Sequence, residues 1–253
     1  MIAWPWTRRF WTTLDGRTYQ LLMHARPWLG WLAVGTMVAT FALVFWWVPL
    51  EEIQGWPQKI FYIHVPSAWL MYAAFATVFA SSIFYLWRRT ALWDIFARCA
   101  AEIGFLFNSL ALVTGMLWGR PIWGAYWTWD ARLTSTLILW FIYGAYLLVR
   151  AMARPGADVA RLAAVVGIVG FLDVPIIHLS VLWWRTLHPQ PVVMIMDDPG
   201  GGLPVSMLVT LLVALVSFSL VFAWLLAQRV WQERTSENLD LLEALLERRG
   251  RPA

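Results

Sequence analysis

Charge is scarce in this chain and cysteine almost absent: 13% of its 253 residues are Asp, Glu, Lys or Arg, and Cys99 is the one cysteine. A lone thiol closes no disulfide within the chain, and without a CxxCH the chain is not itself a c-type cytochrome. No nucleotide-binding motif is present, so any ATP hydrolysis must come from another subunit. No hydrophilic stretch is big enough for a soluble domain, and no internal repeat of transporter type occurs. No cleavable leader is evident, because the first apolar run is long enough to stay in a membrane.

What the chain has instead is apolar surface: 60% of its residues are hydrophobic and 20 are tryptophan. A soluble domain of this length does not hide so much. Roughly 20 apolar residues cross a bilayer as a helix, and six segments meet that length, at about 28–50, 67–87, 96–118, 133–149, 162–182 and 203–228. A lipid-facing backbone must satisfy its own polar groups, so each is helical. The fold class expected is an all-α integral membrane protein, a bundle of six transmembrane helices with short outward loops.

Positive charge gives the orientation. Fifteen of the 19 basic residues fall in the N-terminal segment, the second-to-third and fourth-to-fifth connections, and the tail; only Lys59, Arg120, Arg132 and Arg185 fall on the other side. Both termini are therefore expected in the cytoplasm. The basic balance (net charge +4) reflects arginines at membrane edges, not a nucleic-acid surface. The organisation expected is a cytoplasmic segment 1–27, a membrane domain 28–228 with outward loops 51–66, 118–132 and 183–202, and a cytoplasmic tail 229–253. In that tail Leu239, Leu242, Leu245 and Leu246 have the spacing of an amphipathic helix, either lying on the membrane surface or docking a partner.

The loop that opens at Trp118 reads WGRPIWGAYWTWDARLT, with Trp118, Trp123, Trp127 and Trp129 packed beside Tyr126. Such rings either anchor a helix end at the interface or form a platform for a flat apolar ligand. Their density in one loop favours the ligand. Pro121 suits the first turn of a new helix, and a helix over 121–132 would put Trp123, Trp127 and Asp130 on one face. Gly119 and Gly124 would let a flat ligand approach the backbone.

Of the four histidines, His24 reads as solvated on the inner side, and His178 as a core residue bonded to a carbonyl freed by Pro175. His64 (FYIHVPSAW) and His188 (WWRTLHPQP) both lie outward, flanking the tryptophans. Two imidazoles beside an aromatic shelf suit the axial positions of an iron porphyrin, with outward cations for its propionates. A bis-imidazole site closes both iron faces, which suits carriage better than catalysis. The rivals are a cytochrome b-like electron carrier, which needs histidine pairs inside spans, and a membrane transferase using Asp130 with a second carboxylate among Glu51, Glu52, Asp197 and Asp198. Glu102 and Asp173, rare acids within spans, read as structural or cavity-lining, and the loop PQPVVMIMDDPGGGLP as flexible enough to open and close over the site.

Together, YIHVP, WGRPIWGAYWTWDARLT and PIIHLSVLWWRTLHP resemble the tryptophan-rich WWD haem-handling family, in particular its CcmC branch from cytochrome c maturation. The chain is too short for the larger haem lyases that share the signature. The resemblance implies non-covalent b-type haem ligated by His64 and His188, and a signature running from Trp118 to Asp130. With it go Trp118, Trp123, Trp127, Trp129, Asp130, Arg120, Arg132 and Arg185 as the binding surface, in a non-enzymatic haem carrier of the bacterial inner membrane. It also implies partners: an ABC ATPase and its membrane subunit (CcmA, CcmB), the small single-span CcmD, and the periplasmic haem chaperone CcmE, which receives the haem covalently.

Overall fold

The computed structural model describes residues 5–153, 156–188 and 203–250. Among these the chain is helical, with α1 (Pro5–Ala42), α2 (Phe61–Arg88), α3 (Ala91–Trp123), α4 (Ala131–Met152), α5 (Ala157–Phe171), α6 (Asp173–Trp183) and α7 (Val205–Gly250). Six stretches are long and apolar enough to cross a membrane: Tyr19–Trp47, Trp56–Arg88, Ala91–Trp123, Ala131–Met152, Ala157–Trp183 and Val205–Ser236. Each overlaps one of the six expected spans and is longer overall, although the first ends at Trp47 instead of 50 and the sixth begins at Val205 instead of 203. The glycine-rich segment between His188 and Leu203 lies outside the described residues.

One of the six spans, Ala157–Trp183, is built from two α-helices. Pro175 has no N–H to offer the carbonyl of Phe171, and its ring crowds that carbonyl. The helix yields at Leu172, whose N–H turns to Val169 O at 3.1 Å, and α6 resumes at Asp173.

Close packing of small residues holds the bundle together, as expected where lipid gives helices no hydrophobic drive to associate. Phe75 of α2 stacks on Tyr143 of α4 with ring centres 3.7 Å apart, and a Cβ at Gly104 of α3 would lie 2.7 Å from Phe75. Tyr143 donates its hydroxyl to Gly167 O of α5 at 3.1 Å. The α1–α7 pair is joined by a buried Thr40–Ser217 hydroxyl contact of 2.7 Å. Large apolar side chains such as Trp31, Trp46 and Met152 face outward, as a lipid-contacting surface requires.

The two ends of the bundle differ. At one end Arg150 grips Asp94 with two bonds of 2.7 Å, and Arg229 joins Glu102 (2.7 Å) and Glu233 (3.0 Å), with Arg98 beside both acids. Glu102 is thus one corner of a four-residue ion network. The residues at 229–250 continue the sixth span as one unbroken helix. The opposite end carries Trp118, Trp123, Trp127 and Trp129 together with His64 and His188.

Candidate functional site

Three parts of the chain converge at this second end: the start of α2, the junction of α3 with α4, and the coil after α6. His64 sits in the second turn of α2, its Nδ1 3.1 Å from Thr114 Oγ1 of α3. Thr114 donates its one hydroxyl hydrogen back to Leu110 O. Its oxygen therefore meets the imidazole as an acceptor, so Nδ1 carries the proton and the Nε2 lone pair is left for a ligand. The ring is held closely: a Cβ on Gly115 would fall 3.0 Å from His64 Cε1. One turn further along α3, Trp118 meets His64 edge-on at 5.8 Å, while its indole N–H donates to Gln54 Oε1 at 3.0 Å.

His188 approaches from the coil after α6, where its backbone N–H bonds Thr186 Oγ1 at 2.8 Å. Its ring centre lies 6.4 Å from that of His64, with the planes inclined by 36°. Trp123, in the last turn of α3, lies 6.4 Å from the same ring. Arg132, in the first turn of α4, reaches across to α6. Its Nη1 donates to His188 Nδ1 at 2.9 Å, while Nε and Nη2 point at the carbonyls of Ile177 (3.4 Å) and His178 (3.2 Å).

The helix expected over 121–132 does not form. α3 runs on through Pro121 to Trp123 and stops at Gly124, whose φ of 76° favours glycine. A coil follows, and Asp130 starts α4 as its N-cap: Oδ1 accepts from Leu133 N (3.0 Å) and Oδ2 from Thr128 Oγ1 (3.1 Å). Trp123, Trp127 and Asp130 therefore share no helical face. Trp127 and Trp129 pack edge to face on each other at 5.6 Å in the coil, and Trp129 is 77% exposed. Asp130 serves as the N-cap of α4.

The cations divide by position. Arg132 is in the cluster. Arg120 is exposed, donating to Gly124 O and lying over the Tyr126 ring at 5.5 Å. Arg185 is exposed on the coil before His188. Lys59 caps the π-helical turn Leu43–Trp47, donating to the carbonyls of Val44 and Val48. His178 is exposed on α6 with its ring edge-on to Tyr72 at 6.4 Å, instead of lying in the core. Thr114, Gly115 and Gln54 were not anticipated from sequence. The one local signal is a polar Thr and a Gly within LVTGMLW, a single turn before Trp118.

Among the described residues no group of three or more His, Cys, Asp or Glu is placed to hold a bare metal ion. A pair of imidazoles in an aromatic setting fits a metal that brings its other ligands with it, as a macrocycle does. Six apolar helices and this end cluster define a multi-pass membrane protein.

Comparison with known proteins names the family. Residues 10–243 match the family model CcmC, heme exporter protein C. A heme exporter protein C of Bradyrhizobium diazoefficiens is 44% identical over 237 residues, covering 91% of this chain and 89% of the relative. Those of Escherichia coli K12 (37% over 175 residues; 68% and 70%) and Haemophilus influenzae (35% over 192 residues; 75% and 76%) are also similar. The chain belongs to the CcmC family. Membership supports a role in haem handling for cytochrome c maturation, in association with the heme exporter system.

Proposed function

We propose that this chain carries b-type haem at the end of the bundle where α2, α3, α4 and α6 meet, and passes it to the haem chaperone CcmE. The observation that carries the reading is the pairing of His64 and His188, rings 6.4 Å apart, from segments more than 100 residues distant in sequence. Metal–imidazole bonds of roughly 2 Å set the centres of two imidazoles on opposite faces of one ion roughly 6 Å apart. The surroundings suit the macrocycle as well. Trp118 and Trp123 adjoin one histidine each, and Trp127, Trp129 and Asp130 form the outer part of the platform. Arg132 is the inner cation for a propionate; Arg120 and Arg185 are the outer ones.

The charge asymmetry of the loops supports a periplasmic site and cytoplasmic termini in the inner membrane. The remaining partners in this reading are the ABC subunits CcmA and CcmB and the single-span CcmD. In this reading the chain only holds the haem and releases it through ligands that let go, and the covalent bond then formed belongs to the acceptor, so the chain acts as a carrier and not as an enzyme. The cytochrome b-like alternative gains nothing from His178, which is exposed on its helix.

An absorption spectrum of the purified protein tests the reading. A Soret band should be present, should shift in His64→Ala and in His188→Ala, and should persist in His178→Ala. A band lost only in His178→Ala would replace the proposed site with one between helices. A tag inserted in the segment 200–202 should be reached from outside intact cells; a protected tag would reverse the orientation.

A further inference from the structure

The two histidines are not equivalent in their hydrogen bonding. His64 Nδ1 faces a hydroxyl oxygen whose proton is already given to Leu110 O, so this imidazole stands in the tautomer that offers Nε2 to a metal. His188 is in the opposite condition. Arg132 is a donor only, with no lone pair to give, so the 2.9 Å contact from Nη1 makes His188 Nδ1 the acceptor. A neutral imidazole has one in-plane lone pair, and that of His188 is committed to Arg132.

We infer that Arg132 is a latch that withholds His188 from iron until a carboxylate of the incoming porphyrin draws the guanidinium away. The inference rests on the bis-histidine haem reading above. It makes Arg132 a positioning residue that couples recognition of the propionate to closure of the second axial position. The guanidinium holds three acceptors at once: the carbonyls of Ile177 and His178, which tie it to α6, and the His188 nitrogen. A carboxylate is a better acceptor for a guanidinium than a neutral imidazole, because both partners are charged and the match is bidentate. Exchange of His188 for a propionate oxygen is therefore the favoured swap.

Once released, the imidazole lone pair is available at Nδ1. It becomes available at Nε2 after Nε2–H gives its proton to water and Nδ1 takes one back, with no net change in protons. Ligation forms one dative N–Fe bond and consumes no oxidant or reductant. The order of events follows: His64 engages first, His188 second, and only for a porphyrin with a free acid group. The same latch works in reverse when an acceptor takes the haem. As the propionate leaves, Arg132 recaptures His188, and the ligand that engaged last is the first to go.

The test compares haem with haem dimethyl ester, in which both acids are blocked, on the full-length protein in detergent. At saturation the wild type should be six-coordinate and low-spin with haem, but five-coordinate and high-spin with the ester. Loss of a simple ion pair predicts something different: an ester that binds about tenfold more weakly yet is still six-coordinate when bound. Arg132→Gln should give the six-coordinate spectrum with both ligands, and Arg132→Lys should recover part of the discrimination. A wild type that is six-coordinate with the ester, while His188→Ala is five-coordinate with haem, would overturn the latch and leave the two ligands standing. A haem spectrum unchanged by His188→Ala would instead overturn the bis-histidine reading. The wild-type comparison needs no variant, so it decides even if changes at Arg132 loosen the α4–α6 contact.

Discussion

Thr114 Oγ1 lies between two partners with opposite needs, giving its hydrogen to Leu110 O one turn back along α3 and presenting its lone pair to His64 Nδ1. The hydroxyl, together with the Ala111 backbone that also hydrogen-bonds the ring, orients the imidazole and favours the tautomer with Nδ1–H. Outer partners of this kind typically tune metal affinity about 10–100-fold. Thr114→Val keeps the shape and removes the acceptor, so haem affinity should fall by about that factor, whereas Thr114→Ser should stay near wild type. A haem titration followed at the Soret band reads both, and a Val variant that binds like wild type would sever Thr114 from the site.

Gly115 tests the same ring by volume. An added methyl at this position meets His64 Cε1 at 3.0 Å, so the ring must shift in Gly115→Ala. Gly35 on α1 has nothing within 4 Å, which makes Gly35→Ala the matched control. Haem retention should drop in the first variant and not in the second. Equal retention would mean that the His64 ring is not held where binding requires it.

Much of the fold was legible because bilayer thickness imposes a length on apolar runs, and all six spans could be read from that alone. Local chemistry at the signature loop was less legible. Pro121 suits a helix start, but it is also tolerated near a helix end, and here the φ of Gly124 and the cap at Asp130 decide where α3 stops and α4 begins. The His64–His188 approach could be argued from side and motif, since both lie at the tryptophan end. The contacts of Arg132 with His188 and of Glu102 with Arg229 join residues 56 and 127 apart in sequence. Such partners depend on how the helices pack, and no periodicity announces them. Lys59 shows the same limit: grouped by position with the outward cations, it is engaged by the carbonyls of the π-helical turn at the end of the first span.

Asp130 separates the role of a cap from that of a charge. Asn at an N-cap accepts the same N–H bond, while Ala does not, at a cost of about 1 kcal/mol. Asp130→Asn should therefore melt near wild type in detergent, and Asp130→Ala should melt lower. If transfer to CcmE is lost in Asp130→Asn while haem retention is kept, the charge serves docking in addition to the fold.

The Asp94–Arg150 pair lies at the far end from the histidines, and its Arg side chain is only 10% exposed. Removing one partner of such a pair strands the other charge, at about 3–5 kcal/mol when burial is complete. Arg150→Ala should lower thermal stability markedly by light scattering or intrinsic fluorescence. The haem spectrum of the surviving folded fraction should be unchanged, because the pair touches none of the proposed ligands. A changed spectrum at full stability would require coupling along α4.

The tryptophans themselves should divide by position. Trp118 and Trp123 each adjoin a histidine ring, whereas Trp129 is largely exposed and contacts Trp127. An aromatic contact contributes about 0.5–1.5 kcal/mol beyond its buried area, which a Leu of equal apolarity does not replace. Trp123→Leu should therefore lose more haem per protein after extraction than Trp123→Phe, and more than Trp129→Leu. An interfacial anchor predicts a different order, because lipid accepts Leu as readily as Phe and the more exposed Trp129 would matter most. Equal retention in Trp123→Leu and Trp123→Phe would reduce the inner ring to an anchor, and the haem reading would then stand on the histidines and Arg132 alone.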